Sequence, residues 1–312
     1  MIEMIPQPSV DLVGEALRSH LAVVVEATPD CVRFKHEADG HSYVAEIHMN
    51  ENWGRVECDL GAPSASRASG QLLFKALEWN VQLTGAARFA INEKSFLCVQ
   101  SEFPLGFETG LNAVIGEMLS SVGDAVLVAR GLAAPNRAAR SHGGPAGDST
   151  GELDLVALCD EAGWLAKQRP DGLVTVGLEA PGSHYAAELR VGDSEIIFTV
   201  GFSLPETLSP ASRQASVLLA LSAGGLVRRV RTQPHTSGGE TMLGFTVRCV
   251  RPPTPQEIAN ALGCLSVICQ LGGEEFKALH HEAAAREYLA IRRWSVPEVD
   301  PQPPTQERNA SS

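Results

Sequence analysis

Tyr43-Val44-Ala45-Glu46-Ile47 returns later in the chain as Tyr185-Ala186-Ala187-Glu188-Leu189, and this echo decides how the rest of the sequence is read. Ala65-Ser66-Arg67 followed by Leu72-Leu73 returns as Ala211-Ser212-Arg213 followed by Leu218-Leu219. Asp11-Leu12-Val13 returns as Asp154-Leu155-Val156. The echoes lie 142, 146 and 143 residues apart and keep their order. A period of that length marks a duplicated domain, because solenoid repeats are only about 20–50 residues long. A fused pair can make within one polypeptide the contacts that an unfused relative makes by dimerising.

Working outward from the tyrosine strand, residues 42–49 place Tyr43, Ala45, Ile47 and Met49 on one face and Glu46 and His48 on the other. Asp39-Gly40 before it is a hairpin signal that joins it to a strand at 31–36. A further strand is expected at 53–60. The helical spacing of Leu12, Ala16, Leu17 and Leu21 predicts a helix over 11–25. After the strands come a helix capped by the hydroxyl-rich 63–66, a hairpin at 87–91 and 96–103, and a closing helix at 108–121. The predicted order is α-β-β-β-α-β-β-α. The second copy repeats it with a helix at 153–164, strands at 173–178, 184–191 and 195–202, and a helix at 209–223 ended by Gly224-Gly225. A hairpin at 226–232 and 242–250 and a helix at 255–271 close it. An additional helix is expected at 274–294, with no counterpart in the first half.

The predicted organisation is a first repeat at 10–130, a flexible Gly/Pro/Ser-rich linker at 131–151, a second repeat at 152–294 and a disordered tail at 295–312. The fold class is therefore α+β, with antiparallel sheets packed on helices in a pseudo-two-fold pair. The chain has 312 residues, enough for two cores. Its net charge is −12 and no Lys/Arg block exceeds a doublet, which disfavours nucleic acid and anionic lipid. No apolar run is read as a membrane span, and residues 1–9 lack the features of a secretory signal. Seven cysteines, an odd number spread through apolar segments, suit reduced thiols in a cytoplasm.

The stretch 72–119 carries a family likeness. It holds a helix ending in Trp79-Asn80-Val81-Gln82-Leu83, then Gly85, the hairpin Phe89-Ala90-Ile91 and Phe96-Leu97-Cys98-Val99, then Glu102-Phe103-Pro104-Leu105 before an amphipathic helix. This pattern resembles the class I type III secretion chaperones and the related YbjN-like proteins. The second copy departs from it: Arg228, Arg229 and Arg231 make its hairpin more basic, and the hairpin tip is longer. The resemblance implies a non-enzymatic binding protein, an intramolecular pseudo-dimer that is monomeric in solution and takes an extended segment of a partner protein. Two other readings are a YbjN-like regulatory adaptor without a secretion role, and a small-ligand binder or enzyme with a pocket between the repeats.

No phosphate loop, nucleophile elbow, HExxH or paired CxxC occurs in the sequence, so no cofactor, metal or catalytic residue is expected. Glu46 with His48 would suit acid–base chemistry, but Arg190 stands in the second copy where His48 stands in the first, and a polar outer sheet face explains both better. His280 and His281 are adjacent on a helix and do not share a ligand face. Cys264 and Cys269 read as buried apolar residues. The candidate partner-binding residues are Trp53, Arg67, Arg213, Arg229 and Arg231; Trp79 reads as packing.

Overall fold

The computed structural model describes residues 10–50, 53–61, 68–83, 85–105, 110–132, 154–192, 195–237 and 239–297. Among these residues the chain is an α+β protein with two six-stranded antiparallel sheets and seven helices, consistent with two tandem units. The first unit comprises α1 (Val10–Ser19), β1 (Val23–Thr28), β2 (Cys31–Ala38), β3 (His41–Met49), β4 (Trp53–Gly61), α2 (Ala68–Gln82), β5 (Arg88–Ile91), β6 (Leu97–Pro104) and α3 (Leu111–Ala129). The second comprises α4 (Leu155–Glu161), β7 (Ala166–Gln168), β8 (Val174–Ala180), β9 (Ser183–Val191), β10 (Glu195–Ser203), α5 (Pro210–Leu226), β11 (Arg231–Ser237), β12 (Glu240–Val250), α6 (Pro255–Leu279) and α7 (Glu282–Ile291).

The sheet orders are β1-β2-β3-β4-β6-β5 and β7-β8-β9-β10-β12-β11, the same order in both units. The registers coincide as well. Glu46, Glu57, Gln100 and Arg88 stand in one cross-strand row, and Glu188, Thr199, Thr246 and Arg231 stand in the matching row.

Each unit has one more strand than the sequence pattern predicts, so the order is α-β-β-β-β-α-β-β-α. The helix expected over 11–25 stops at Ser19. Leu21 takes a left-handed conformation (φ 63°), and the Leu21 and Ala22 amides donate to the Arg18 and Leu17 carbonyls. Those two bonds satisfy the last carbonyls of the helix in the Schellman manner. Glycine usually marks this turn, and a leucine there gives no such signal. The β-branched run Val23-Val24-Val25 then favours a strand. In the second unit Gly163 (φ 82°) makes the same turn after α4, and Gly163 and Trp164 donate to Asp160 and Cys159.

Two glycine pairs at the expected helix ends are contact points inside helices. Helix α5 runs through Gly224-Gly225 to Leu226; a Cβ on Gly225 would lie 3.0 Å from the Ile91 carbonyl of the first unit, and one on Gly224 would lie 2.4 Å from the Thr232 hydroxyl. Helix α6 likewise continues through Gly272-Gly273, where a Cβ on Gly273 would meet the Tyr185 hydroxyl at 2.5 Å. The closing helix therefore takes in the start of the segment expected to be separate, and α7 begins only at Glu282. The strand expected at 226–232 begins instead at Arg231, after the left-handed Arg229 (φ 63°).

One face of each sheet is covered by its own unit's helices. In the first, Val32, Phe34, Tyr43, Ala45, Ile47 and Val56 are buried, and Tyr43 donates to the Leu119 carbonyl of α3 at 3.3 Å. Met49, expected on this face, is half-buried. In the second, α6 covers the sheet, and Phe202, Phe245 and Phe276 stack with centroids 4.7–6.1 Å apart. Helix α3 is long and apolar enough by composition to cross a membrane, which the sequence reading did not single out, but half of it is buried and it packs on α1, β2 and β6. Trp294 is buried, its indole N–H donating to the Ser95 carbonyl, and Gln214 donates to the Ser295 carbonyl. The segment expected to be a disordered tail is thus packed at its start. Residues 133–153, holding most of the expected linker, and 298–312 lie outside the described residues. Replacing Phe276 by alanine should lower the unfolding free energy by about 3–5 kcal/mol in denaturant titration; an unchanged midpoint would contradict this packing.

Candidate functional site

Each sheet ends, on its β5 or β11 side, against the other unit. Helix α2 packs on β11, α5 packs on β5, and α2 also touches α5. Equivalent elements therefore meet equivalent elements, and two clefts flank the contact. One, of about 490 Å³, lies between the open face of the second sheet and α3, lined by Glu102, Phe103, Met118, Glu195, Arg229 and Arg248 among others. The other, of about 370 Å³, lies between the open face of the first sheet and the end of α5, with Trp53, Arg55, Asn92, Lys94, Gly225 and Arg228 in its wall. Volumes of this order suit a few side chains or a small molecule.

In the wall of the larger cleft sit two arginines from matching rows, Arg88 and Arg231. Arg88 makes a two-pronged pair with Glu102, each N–O separation 2.6 Å, with only 2% of either side chain exposed. Glu102 also accepts from the Arg229 backbone amide at 3.2 Å, and the Arg55 Nε lies 3.3 Å away. Burial works to raise the Glu102 carboxyl, and the Arg88 charge, the Arg88 hydrogen bonds, the Arg229 amide and Arg55 together outweigh it, so its pKa lies below the ordinary value. Arg231 has a different environment. Its guanidinium donates to the carbonyls of Leu83, Gly85 and Ala87, the last at 2.8 Å. These carbonyls follow directly on α2, at the negative end of its dipole. Asn80 completes the contact, donating to Phe89 and Thr232 carbonyls at 3.0 and 2.8 Å and accepting from the Phe89 amide.

The sequence candidates are dispersed around this contact. Arg231 is buried and holds the other unit. Arg229 is exposed, with its side chain donating to the Arg248 carbonyl, and lines the larger cleft. Trp53 is half-buried in the smaller cleft with the Arg228 guanidinium 5.0 Å from its ring centroid, a cation–π contact. Arg213 lies on α5, half-buried, away from both cleft walls. Arg67 and the expected cap at 63–66 lie outside the described residues. In the second unit Ser209 is the helix cap, its side chain accepting from the Ser212 amide. Sequence reading passed over Arg88, Glu102 and Asn80. The signal available for Arg88 was a lone charge inside the apolar run Ala86-Ala87-Arg88-Phe89-Ala90-Ile91.

Comparison of the chain with protein-family models, curated proteins and solved structures gives no match.

The lowered carboxyl fixes a sign. Glu102 adds stability above its ordinary pKa of 4.5, and that stability is lost as pH falls through the lower folded value. Glu102→Gln should be less stable than wild type at pH 7 by on the order of 3 kcal/mol, since it leaves Arg88 buried without a counter-charge. The gap should close below about pH 4.5. A gap that is constant from pH 7 to pH 3 would refute the assignment.

Proposed function

We propose that the chain binds an extended segment of a partner protein, as its resemblance to type III secretion chaperones implies, and that its two units act as one intramolecular pseudo-dimer without enzymatic activity. The observation that carries this reading is the outer edge of the first sheet. Among the described residues strand β1 pairs only on its β2 side, and Leu21, Val23 and Val25 at and before it are 87%, 62% and 61% exposed. Val23 stands in one cross-strand row with Lys35 and Val44, and Val44 is also exposed. The result is a pair of exposed valines flanking Lys35 on the open face, beside a row of backbone donors and acceptors that no other described strand pairs.

An extended peptide can add to such an edge, with backbone hydrogen bonds supplying affinity and alternate side chains supplying selectivity. Apolar side chains of the partner would lie on Val23 and Val44. From there the open face leads across Arg33, Glu46 and Glu57 to the cleft that holds Trp53 and Arg228. Aromatic residues and arginine are enriched among interface anchors, which fits that cleft as the far end of the path. The bulge between Val24 and Glu26 interrupts the edge ladder, a device that discourages indiscriminate pairing with other strands.

The test uses the full chain and a Val23→Glu/Val25→Glu variant, whose exposed substitutions leave the core intact. Affinity capture from the native lysate should yield a protein that binds wild type and is lost from the variant. Hydrogen exchange of residues 23–28 should slow in that complex. Capture unaffected by the variant, or co-purification of a metabolite with no protein, would overturn the proposal.

A further inference from the structure

We propose that Cys31, Glu46 and His48, on the open face of the first sheet, form a binding site for one zinc-class divalent cation. Cys31 and His48 are direct cross-strand partners on β2 and β3, and Glu46 is two residues from His48 on the same face. Their Sγ, carboxylate and imidazole atoms all lie within 4.8 Å of one another. The His48 Nε2 and the nearer Glu46 oxygen, Oε2, are 3.5 Å apart. That is long for a charge-assisted hydrogen bond, at about 2.8 Å. It is close to the edge of a zinc tetrahedron, since bonds of about 2.0–2.1 Å place neighbouring N and O donors about 3.3 Å apart.

The donor set selects the metal. One thiolate, one imidazole and one carboxylate form a borderline-soft trio suited to Zn²⁺, whereas Mg²⁺ and Ca²⁺ take oxygen donors. Three protein ligands leave a fourth position for water or a donor from a bound molecule. The ligands stand on two paired strands, so the ladder fixes their separation. Binding replaces the Cys31 thiol proton, which leaves to solvent, and the metal takes the sulfur lone pair. The Glu46 carboxylate beside the sulfur favours a cation there. Two arginines oppose it. Arg33 approaches the other Glu46 oxygen, Oε1, at 3.8 Å, and Arg55 stands across from His48. Arg33 leaves Oε2 to the metal.

The duplication supplies an internal comparison. The matching positions of the second sheet hold Leu173, Glu188 and Arg190, by the row that pairs Thr175 with Glu188 as Arg33 pairs with Glu46. There Glu188 is engaged by Ser237 at 2.7 Å and Arg190 at 3.2 Å, with His235 3.5 Å away. The shared scaffold thus supplies a glutamate with an imidazole 3.5 Å away in each unit, and only the first unit adds a thiol. The site is expected once per chain.

The test is equilibrium dialysis of the full, reduced chain against Zn²⁺, with metal counted by elemental analysis, and titration with Co²⁺ read by absorption. The expected result is one ion per chain and a thiolate-to-cobalt charge-transfer band. Cys31→Ser should abolish the band, and Cys31→Ser and His48→Ala should each weaken Zn²⁺ binding more than tenfold, at least the ~10–100-fold that losing a residue behind a ligand costs. Cys264→Ser, at a half-buried thiol elsewhere, should change neither. His48 is half exposed, so its variant reports even where the cysteine variant is poorly folded. No bound zinc in wild type, or equal binding by wild type and His48→Ala, would overturn the site.

Discussion

A buried guanidinium set against the end of a helix lies at the centre of the contact that joins the two halves of this protein. Arg231 leaves the second sheet and ends on the Leu83, Gly85 and Ala87 carbonyls that follow α2 of the first unit. It is buried, and burial is the main influence working against its charge, followed by Arg248 and Arg88. An unpaired buried cation is costly. Here the carbonyl dipoles and the negative end of α2 offset that cost. The compensation exists only in the docked geometry, so the buried charge specifies that arrangement of the units over others that would bury it without the carbonyls. The clefts, the position of Glu102 and the approach of α5 to β5 all depend on that docking.

The duplication has not kept the contact symmetric. Arg88 occupies the position that matches Arg231, yet it turns to Glu102 of its own unit, and Glu102 in turn accepts the Arg229 amide from just beyond α5. Each arginine therefore reaches the other unit, one directly and one through a carboxylate. The second copy has Arg248 in the row position of Glu102. That substitution leaves Arg231 with no carboxylate opposite it and commits it to carbonyls. The same divergence gives the two clefts different walls, one centred on Trp53 and Arg228 and the other on Arg229 and Arg248.

Much of the scaffold was legible in the residue pattern. The alternation in 42–49, the hairpin glycine at Gly40 and the repeat spacing identified two α+β units, and Tyr43, Ala45 and Ile47 are buried as the alternation implies. What escaped was governed by contacts between distant segments. Leu21 ends α1 in a conformation that glycine would have announced. Gly224-Gly225 and Gly272-Gly273 look like helix ends in sequence because their reason, close approach of Ile91, Thr232 and Tyr185, is visible only in three dimensions. The arginines of the second hairpin drew attention as free charges for a partner, but which of them is buried depends on the position of α2. Asn80 carries no local signal, since its partners are Phe89 and Thr232.

The docking of the units by Arg231 is tested most directly by calorimetry of Arg231→Met, a substitution that keeps most of the volume and removes the charge. Wild type should unfold in one cooperative transition that includes both units. The variant should lose about 1.5–3 kcal/mol, as expected for hydrogen bonds to a charged group, and its melting should separate into two transitions. A variant that melts in one transition at the wild-type temperature would contradict the account.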